Sequence, residues 1–352
     1  MLGGKQRQIV DKNAIAVQTE GDVNINQNIG MSYSEVKDIA NDIFERNFLK
    51  MSGRAAKTAE NRARKITNKA ISKLKKEFGE EFVKASDPDF QSCLYDIQVE
   101  YAKTGDDELG DLLTDALVHV CNEDARSLKG IVYKESLKII PKLTKTHIVT
   151  LSIIFFLRSC IQIGIRNYAM FGKFLDELVQ PLLTDLSTHP SCYQHLEFSG
   201  CVTFDSSQPS LASSFKSVFP ELFQRGFDES VVNSFGLSNG LRQKFVSGSL
   251  IEQNKYDIWF HPDHGLIEKL NRLNVPLEVQ KKIVSTYVDY RMSDDEIIQH
   301  CIEVRPYMEK LFSVWKSQGV SNLRLTTVGI AIGSQYFEKI SGTKTELSLW
   351  FE

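Results

Sequence analysis

The chain has 352 residues, with 42 Lys and Arg against 45 Asp and Glu, so its net charge is −3 at neutral pH. A hydrophobic share of 42% beside 25% charged residues excludes an intrinsically disordered chain. Near-neutrality excludes the global basicity of a nucleic-acid coat protein, and the length suffices for two or three packed units.

The first residues, Met1 to Arg7, are followed by no long apolar stretch, and no secretory leader is expected. Residues 13–29 read NAIAVQTEGDVNINQNI. Ile15 and Val17, then Val23 and Ile25, alternate on either side of Gly21-Asp22, with Ile29 following. Period-two alternation predicts two short strands joined near that Gly-Asp pair. A hairpin of this size buries too little apolar surface to stand alone. Residues 1–31 are therefore expected to form a short β-hairpin or β-prism layer to which several copies of the chain contribute, with Ile15, Val17, Val23, Ile25 and Ile29 as the oligomerisation residues.

Ser32-Tyr33-Ser34-Glu35 is a capping box, and Val36, Ile39, Ala40, Ile43, Phe44 and Phe48 follow it at helical spacing. This predicts a helix to about residue 50, broken by Ser52-Gly53. A second, basic amphipathic helix is expected over residues 54–78. Between Arg54 and Lys76 stand nine basic residues and one acid, Glu60, a net +8. Ala56, Ala59, Ala63, Ile66, Ala70, Leu74 and Phe78 form a narrow stripe that admits a neighbouring helix closely. Three readings compete for the basic face. It is a solvated surface, a phosphate-backbone site using Arg62, Arg64, Lys65, Lys69 and Lys73, or the partner of an acidic surface. One such surface lies in the chain itself. Residues 104–125 hold Asp106, Asp107, Glu108, Asp111, Asp115, Glu123 and Asp124 and no Lys or Arg. In an oligomer the basic helix of one subunit would meet that segment in the next.

Asp87-Pro88-Asp89 marks a helix stop and restart. Leu109, Leu112, Leu113, Ala116, Leu117 and Val120 form the next amphipathic face, and residues 131–140 another helix, closed by Pro141. Residues 148–165 read IVTLSIIFFLRSCIQIGI, 18 residues and nearly enough to span a bilayer. Arg158 interrupts them, at a cost of roughly 3 kcal/mol mid-membrane, so a buried core helix is expected, with a membrane-perturbing effector as the alternative. Nothing from residue 32 to 187 reads as a strand.

Residues 188–352 are read as a mainly helical C-terminal domain with a loop-rich start. Val202-Thr203-Phe204 is a candidate strand, Ser293-Asp294-Asp295-Glu296 a second capping box, and Pro306 opens a helix that Gly319 ends. The last helix, residues 326–340, carries Gly329-Ile330-Ala331-Ile332-Gly333, whose glycines four apart predict a tight helix–helix crossing. The tail, Leu347-Ser348-Leu349-Trp350-Phe351, is too apolar to stay in water and should dock in a groove.

Six cysteines at irregular spacing suit reduced thiols in the cytoplasm. His189, Cys192, His195 and Cys201 offer four N/S ligands within 13 residues, but not in a zinc-finger order, and no metal or other cofactor is expected. His261-Pro262-Asp263-His264 could supply half a metal site, and Asp294-Asp295-Glu296 a carboxylate cluster for metal-dependent hydrolysis. Those acids already have a macrodipole reason to open a helix. The sequence holds no G-x-x-x-x-G-K-[ST] and no H-E-x-x-H, and Gly236-Leu237-Ser238-Asn239-Gly240 is glycine-rich but lacks the Lys-Ser/Thr that would hold phosphates.

Three separated stretches carry a resemblance. They are Ile15-Ala16-Val17-Gln18 with Gly21-Asp22-Val23-Asn24-Ile25 and Met31-Ser32-Tyr33-Ser34-Glu35-Val36; Leu143-Thr144 with residues 151–158; and residues 327–332 with Leu347-Ser348-Leu349-Trp350. Together they resemble a poorly characterised bacterial family of mobile-element and anti-phage neighbourhoods. The resemblance implies a defence context and no catalytic residue. The expected protein is mainly α, a multi-helix bundle that self-assembles as a non-catalytic sensor or scaffold. Its partners are further copies of itself and a phage or host protein. Nucleic acid binding through helix 54–76 is the first alternative.

Overall fold

A computed structural model of the chain describes residues 32–48, 51, 53–79, 83–160, 165, 167–187, 189–206, 209–259, 265–317, 319–345 and 347. The predicted β element with Ile15, Val17, Val23, Ile25 and Ile29, the His261–His264 stretch and the tail after Leu347 lie outside the described residues.

The described chain is mainly helical. Helix α1, Tyr33–Asn47, opens on the predicted capping box, in which Ser32 N donates to Glu35 Oε2 at 2.8 Å. It ends at Phe48, which turns extended and stacks its ring on Phe44 at 4.4 Å. Helix α2, Gly53–Phe78, is the basic helix, buried along Ala59, Ala63, Ile66, Ala70 and Leu74. Helix α3, Pro88–Thr104, starts with Asp87 as cap and Pro88 in the first turn, where a missing N–H costs nothing. It stops at Gly105, whose φ of +65° is open to glycine at little cost. Helices α4, Asp107–Asn122, and α5, Leu128–Ile139, complete the first bundle, capped by Asp106 and Ser127.

Helix α6, Lys145–Ser159, is the centre of the molecule. Every residue from Ile148 to Leu157 is buried, as the core-helix reading requires. The expected helix over residues 148–165 is nevertheless shorter than predicted, because Cys160 turns extended. The apolar run beyond it is rich in β-branched residues and contains Gly164, all weak helix formers. Among the described residues no helix is long and apolar enough to cross a membrane. Helix α7, Tyr168–Phe174, passes through a π-helical turn, Leu175–Val179, into α8, Gln180–Leu183. The wide turn ends two residues before Pro181, which has no N–H to continue the ladder.

Helix α9, Pro190–Phe198, leads into strand β1, Val202–Phe204, the strand expected from sequence. Then follow α10, Leu211–Val218; α11, Glu229–Asn233; α12, Asn239–Arg242; β2, Val246–Gly248; and β3, Tyr256–Ile258. Helices α13, Leu266–Arg272; α14, Leu277–Asp289; α15, Asp294–Val304; and α16, Met308–Ser317, precede β4, Leu323–Leu325, and α17, Thr327–Ser341. The described sheets are two antiparallel pairs, β1 with β4 and β2 with β3.

Residues on both sides of position 187 share one core, which runs from Tyr33 to Leu347. A separate small cluster, Phe227, Val232, Phe235, Phe245, Ile258, Leu266, Leu270, Val275, Ile283 and Tyr287, makes residues 227–287 a lobe with its own interior. The main core closes where α17 crosses α6. A Cβ on Gly333 would sit 2.7 Å from the Leu151 carbonyl oxygen, and one on Gly329 would overlap the Cys201 carbonyl. The expected tight crossing forms at Gly333 alone, since Gly329 meets the turn before β1, and Phe337 stacks on Phe156 at 4.8 Å beside it. Arg158 binds the crossing to β4, because its guanidinium donates to the Leu323 carbonyl and, at 2.6 Å, to that of Ser321.

Gly333→Ala separates packing from propensity. Alanine favours a helix interior by about 1 kcal/mol over glycine, whereas overpacking against backbone costs about 1–3 kcal/mol. The urea midpoint should fall with an unchanged m-value; an unchanged or raised midpoint contradicts the crossing.

Candidate functional site

Gly110 lets α4 approach Ile66 of α2 closely, and α3 returns the chain between them, so α2 and α4 run parallel. Their charges then meet at one pair per turn. Lys65 Nζ lies 2.6 Å from Asp107 Oδ1, Lys69 Nζ lies 2.6 Å from Asp111 Oδ1, and Lys73 pairs with Asp115. Lys339 of α17 adds a contact to Asp111 at 3.5 Å. Arg62 donates to the Ala102 and Lys103 carbonyls, both at 3.1 Å, at the negative end of the α3 dipole. Arg64 bridges Glu45 at 3.0 Å and Glu60 at 2.7 Å.

All five residues singled out for phosphate contact thus hold partners in their own chain. The acidic segment expected to meet a neighbouring subunit is met within the same molecule. The spacing explains it: Lys65, Lys69 and Lys73 keep the same four-residue step as Asp107, Asp111 and Asp115. Burial alone would raise the Asp111 carboxyl, but Lys69, Lys339 and Lys73 hold it below the usual range. Hydrogen bonds from Lys65 and Tyr101 do the same for Asp107. Each partly exposed pair contributes about 0–1 kcal/mol, so the ladder sets register more than stability.

One turn beyond the last rung the polarity inverts, to Glu77 on α2 and His119 on α4. Both line a cavity of about 620 Å³ walled by α2, α4, α5 and α17. His119 stacks flat on Tyr133 at 4.7 Å, and its Nε2 is 3.9 Å from Glu338 Oε2. Glu338 Oε1 accepts from Thr345 N at 2.5 Å and Thr345 Oγ1 at 2.6 Å. Lys344 reaches Glu77 at 3.1 Å, so three polar contacts tie residues 344–345 to the cavity lining. Gln335, 4% exposed, donates to the Leu112 carbonyl at 2.6 Å while its Oε1 has no partner. Burial lowers the His119 pKa, against the pull of Glu338, Asp115 and Glu77. The lining offers charges of both signs and an imidazole near a carboxylate, which suits a polar ligand and proton exchange with it. Sequence reasoning missed His119 and Glu338; the four-residue step continued to positions 77 and 119 was the available signal.

The metal candidates are spent elsewhere. His189 Nδ1 accepts from Ser191 N at 3.3 Å and caps α9, and His195 Nε2 bonds the Lys142 carbonyl at 2.8 Å. Cys192 is buried beside Thr150, and burial pushes the Cys201 thiol up to about 12. No group of three or more metal-holding side chains is found among the described residues. In the acidic cluster, Asp294 accepts from Ser210 at 2.5 Å and pairs with Lys216 at 3.2 Å. Glu296 is pulled down to about 2 by the Arg225 fork and the Ser293 cap. A second histidine emerges at the start of α6, where His147 Nδ1 accepts from Thr144 N at 3.0 Å and the ring lies 4.7 Å from that of His195.

A charge swap tests the ladder. Lys69→Asp should cost about 1 kcal/mol, and Asp111→Lys in the same chain should recover at least half of it in denaturant titrations. A double variant no better than the sum of its singles contradicts the pairing.

Acid tests the histidines. Burial holds His119, His147 and His300 below the ordinary 6.5, so the unfolded chain takes up protons first as pH falls. Their contribution is fully present above 6.5 and is lost as the pH drops. Protonated His147 would also lose its capping role and set a positive charge at the positive end of α6. Thermal midpoints should be lower at about pH 5.5 than at about pH 7.5, and His147→Gln, which keeps the cap, should narrow the gap. A gap of the same size in the variant contradicts the assignment to His147.

A family model described only as ":-like" matches residues 30–351. No curated protein and no solved structure matches the chain. The match takes in every described residue, from the α1 capping box through the α6–α17 crossing to Leu347. The chain belongs to this poorly characterised family.

Proposed function

We propose that the protein is a self-assembling helical scaffold or sensor that acts by binding and works in bacterial anti-phage defence, with residues 13–30 joining its copies. The observation that carries the reading is the division of the chain at residue 30. The family match begins there, and immediately ahead of it stand the alternating Ile15, Val17, Val23, Ile25 and Ile29. Such runs bury too little apolar surface alone and are satisfied by pairing with other copies.

The body supports a binding role through where its side chains are engaged. The basic helix is occupied by Asp107, Asp111 and Asp115, so a polyanion would have to displace in-chain carboxylates. Helix α6 is enclosed from Ile148 to Leu157, so a membrane could reach it only by opening the core. The defence context rests on the resemblance of the opening and closing motifs.

Light scattering on the full chain and on a variant lacking residues 1–31 tests assembly. The full chain should form a discrete oligomer and the shortened one should fall to the mass of a single chain. Val23→Asp with Ile25→Asp, at unchanged length, should do the same, and in cells carrying the system protection against phage should be lost with the mass. A particle that loses only the mass of the deleted residues overturns the proposal, as does a full chain that is already single.

A further inference from the structure

The small lobe of residues 227–287 borders a second, more apolar cavity. Its frame is the β2–β3 pair, in which Ser247 stands opposite Asp257. Gln224 completes the edge of β3 as a third strand would: its Nε2 donates to the Ile258 carbonyl at 2.7 Å and its Oε1 accepts from Ile258 N at 3.2 Å. The cavity on this frame measures about 270 Å³. Leu250, Ile258 and Trp259 give it apolar walls, Asp257 and Glu221 are its acids, and no described residue lining it is basic.

Asp257 is only 4% exposed. Its Oδ2 accepts from Leu250 N at 3.2 Å, and its Oδ1 has no hydrogen-bond partner. Burial pushes its pKa above the ordinary carboxylate range, against hydrogen bonds that the carboxyl takes from the Ser249 side chain and the Leu250 and Gly226 backbone. A buried carboxyl oxygen without a donor is a standing cost that a bound cation relieves. Two large apolar side chains also stay in contact with water at this cavity, Trp259 at 53% exposure and Leu250 at 42%. Single exposed apolar residues are ordinary, but these two border the same concavity as the buried acid. Indole is the aromatic ring that attracts cations best, and the volume is below that of a drug-sized pocket.

We propose that this cavity binds a small free organic cation, an ammonium or guanidinium group on a few carbons, with the Trp259 ring against the cation and Asp257 as its counter-ion. Occupancy brings Trp259 and Leu250 out of water and supplies a donor to the acid. The described lining of the site draws on no residue of the segment proposed to join the copies, so the inference does not depend on assembly.

Calorimetric titration of the full chain with choline, n-butylammonium and methylguanidinium tests it. At least one should bind with a Kd of about 1 mM or tighter, and 3,3-dimethylbutanol, the uncharged counterpart of choline, about tenfold more weakly than choline wherever choline binds. Asp257→Asn keeps the side-chain shape and should weaken the bound cation about tenfold. Trp259→Leu alters an exposed position and should do likewise, with circular dichroism confirming that both variants keep their helices. If none of the three cations binds, if the uncharged counterpart matches choline, or if folded Asp257→Asn binds as tightly as the native chain, the proposal is overturned. Should Asp257→Asn fail to fold, Trp259→Leu decides: undiminished binding there overturns the proposal as well.

Discussion

The crossing of α17 over α6 is the constraint on which the rest of the molecule depends. Helix α6 is apolar around its whole circumference, so it is stable in water only if every side is covered. Helices α8, α9 and α10 and strand β4 supply part of that cover, and α17, from the far end of the described chain, closes it. Backbone approaches backbone there because Gly333 has no Cβ to hold it off Leu151, and Gly329 in the same way admits the Cys201 carbonyl ahead of β1. That single approach carries α17 polar side chains onto α4 as well, with Gln335 on the Leu112 carbonyl and Tyr336 at 3.2 Å from Glu108. The two halves of the chain are thereby one packed body, despite the change of texture near residue 187.

Charge has a different task in this fold. A basic helix facing an acidic one suggests large electrostatic stabilisation, yet the pairs are partly solvated and individually weak. What they contribute is choice among alternatives. A one-turn slip of α2 along α4 would still bury the alanine stripe, but would leave a rung unpaired and bring Glu77 opposite Asp115. The inverted fourth position, Glu77 and His119, ends the ladder and begins a cavity, so the same helical step that sets the register also delivers a polar concavity. Histidine capping α6 and histidine lining that cavity make the body sensitive to mild acid for one shared reason: both rings are held neutral by burial.

Much of the helical framework was legible from local chemistry. Capping boxes at Ser32 and Ser293, the Asp87-Pro88 restart, the alanine stripe of α2 and the glycine pair of α17 are short-range signals, and each marks the element it predicted. The errors are of two kinds. Helix α6 ended early, because hydrophobicity alone extends a helix through β-branched residues that do not favour one. The partner of the basic helix was sought in another subunit, because sequence separation conceals that α3 returns the chain and brings α4 alongside α2. The site was less legible than the fold. His119, Glu338 and Thr345 converge from places more than two hundred residues apart, and no motif spans that distance. Asp257 and Trp259 are near neighbours in sequence, yet neither is informative until one is buried without a full set of donors and the other is left in water.

The sequence by itself determined the class of structure, the position of most helices, and the strong charge asymmetry hidden beneath a net charge of −3. These follow from periodicity, capping chemistry and composition, which act over a few residues and need no knowledge of what lies opposite. Only the tertiary structure decided which surfaces meet. It placed the acidic segment on its own basic helix, put α17 on α6, turned the candidate zinc ligands to caps and core, and left one buried acid beside an exposed tryptophan. Those outcomes depend on which distant segments exclude water together, and burial of that kind is a property of the packed chain rather than of any stretch within it.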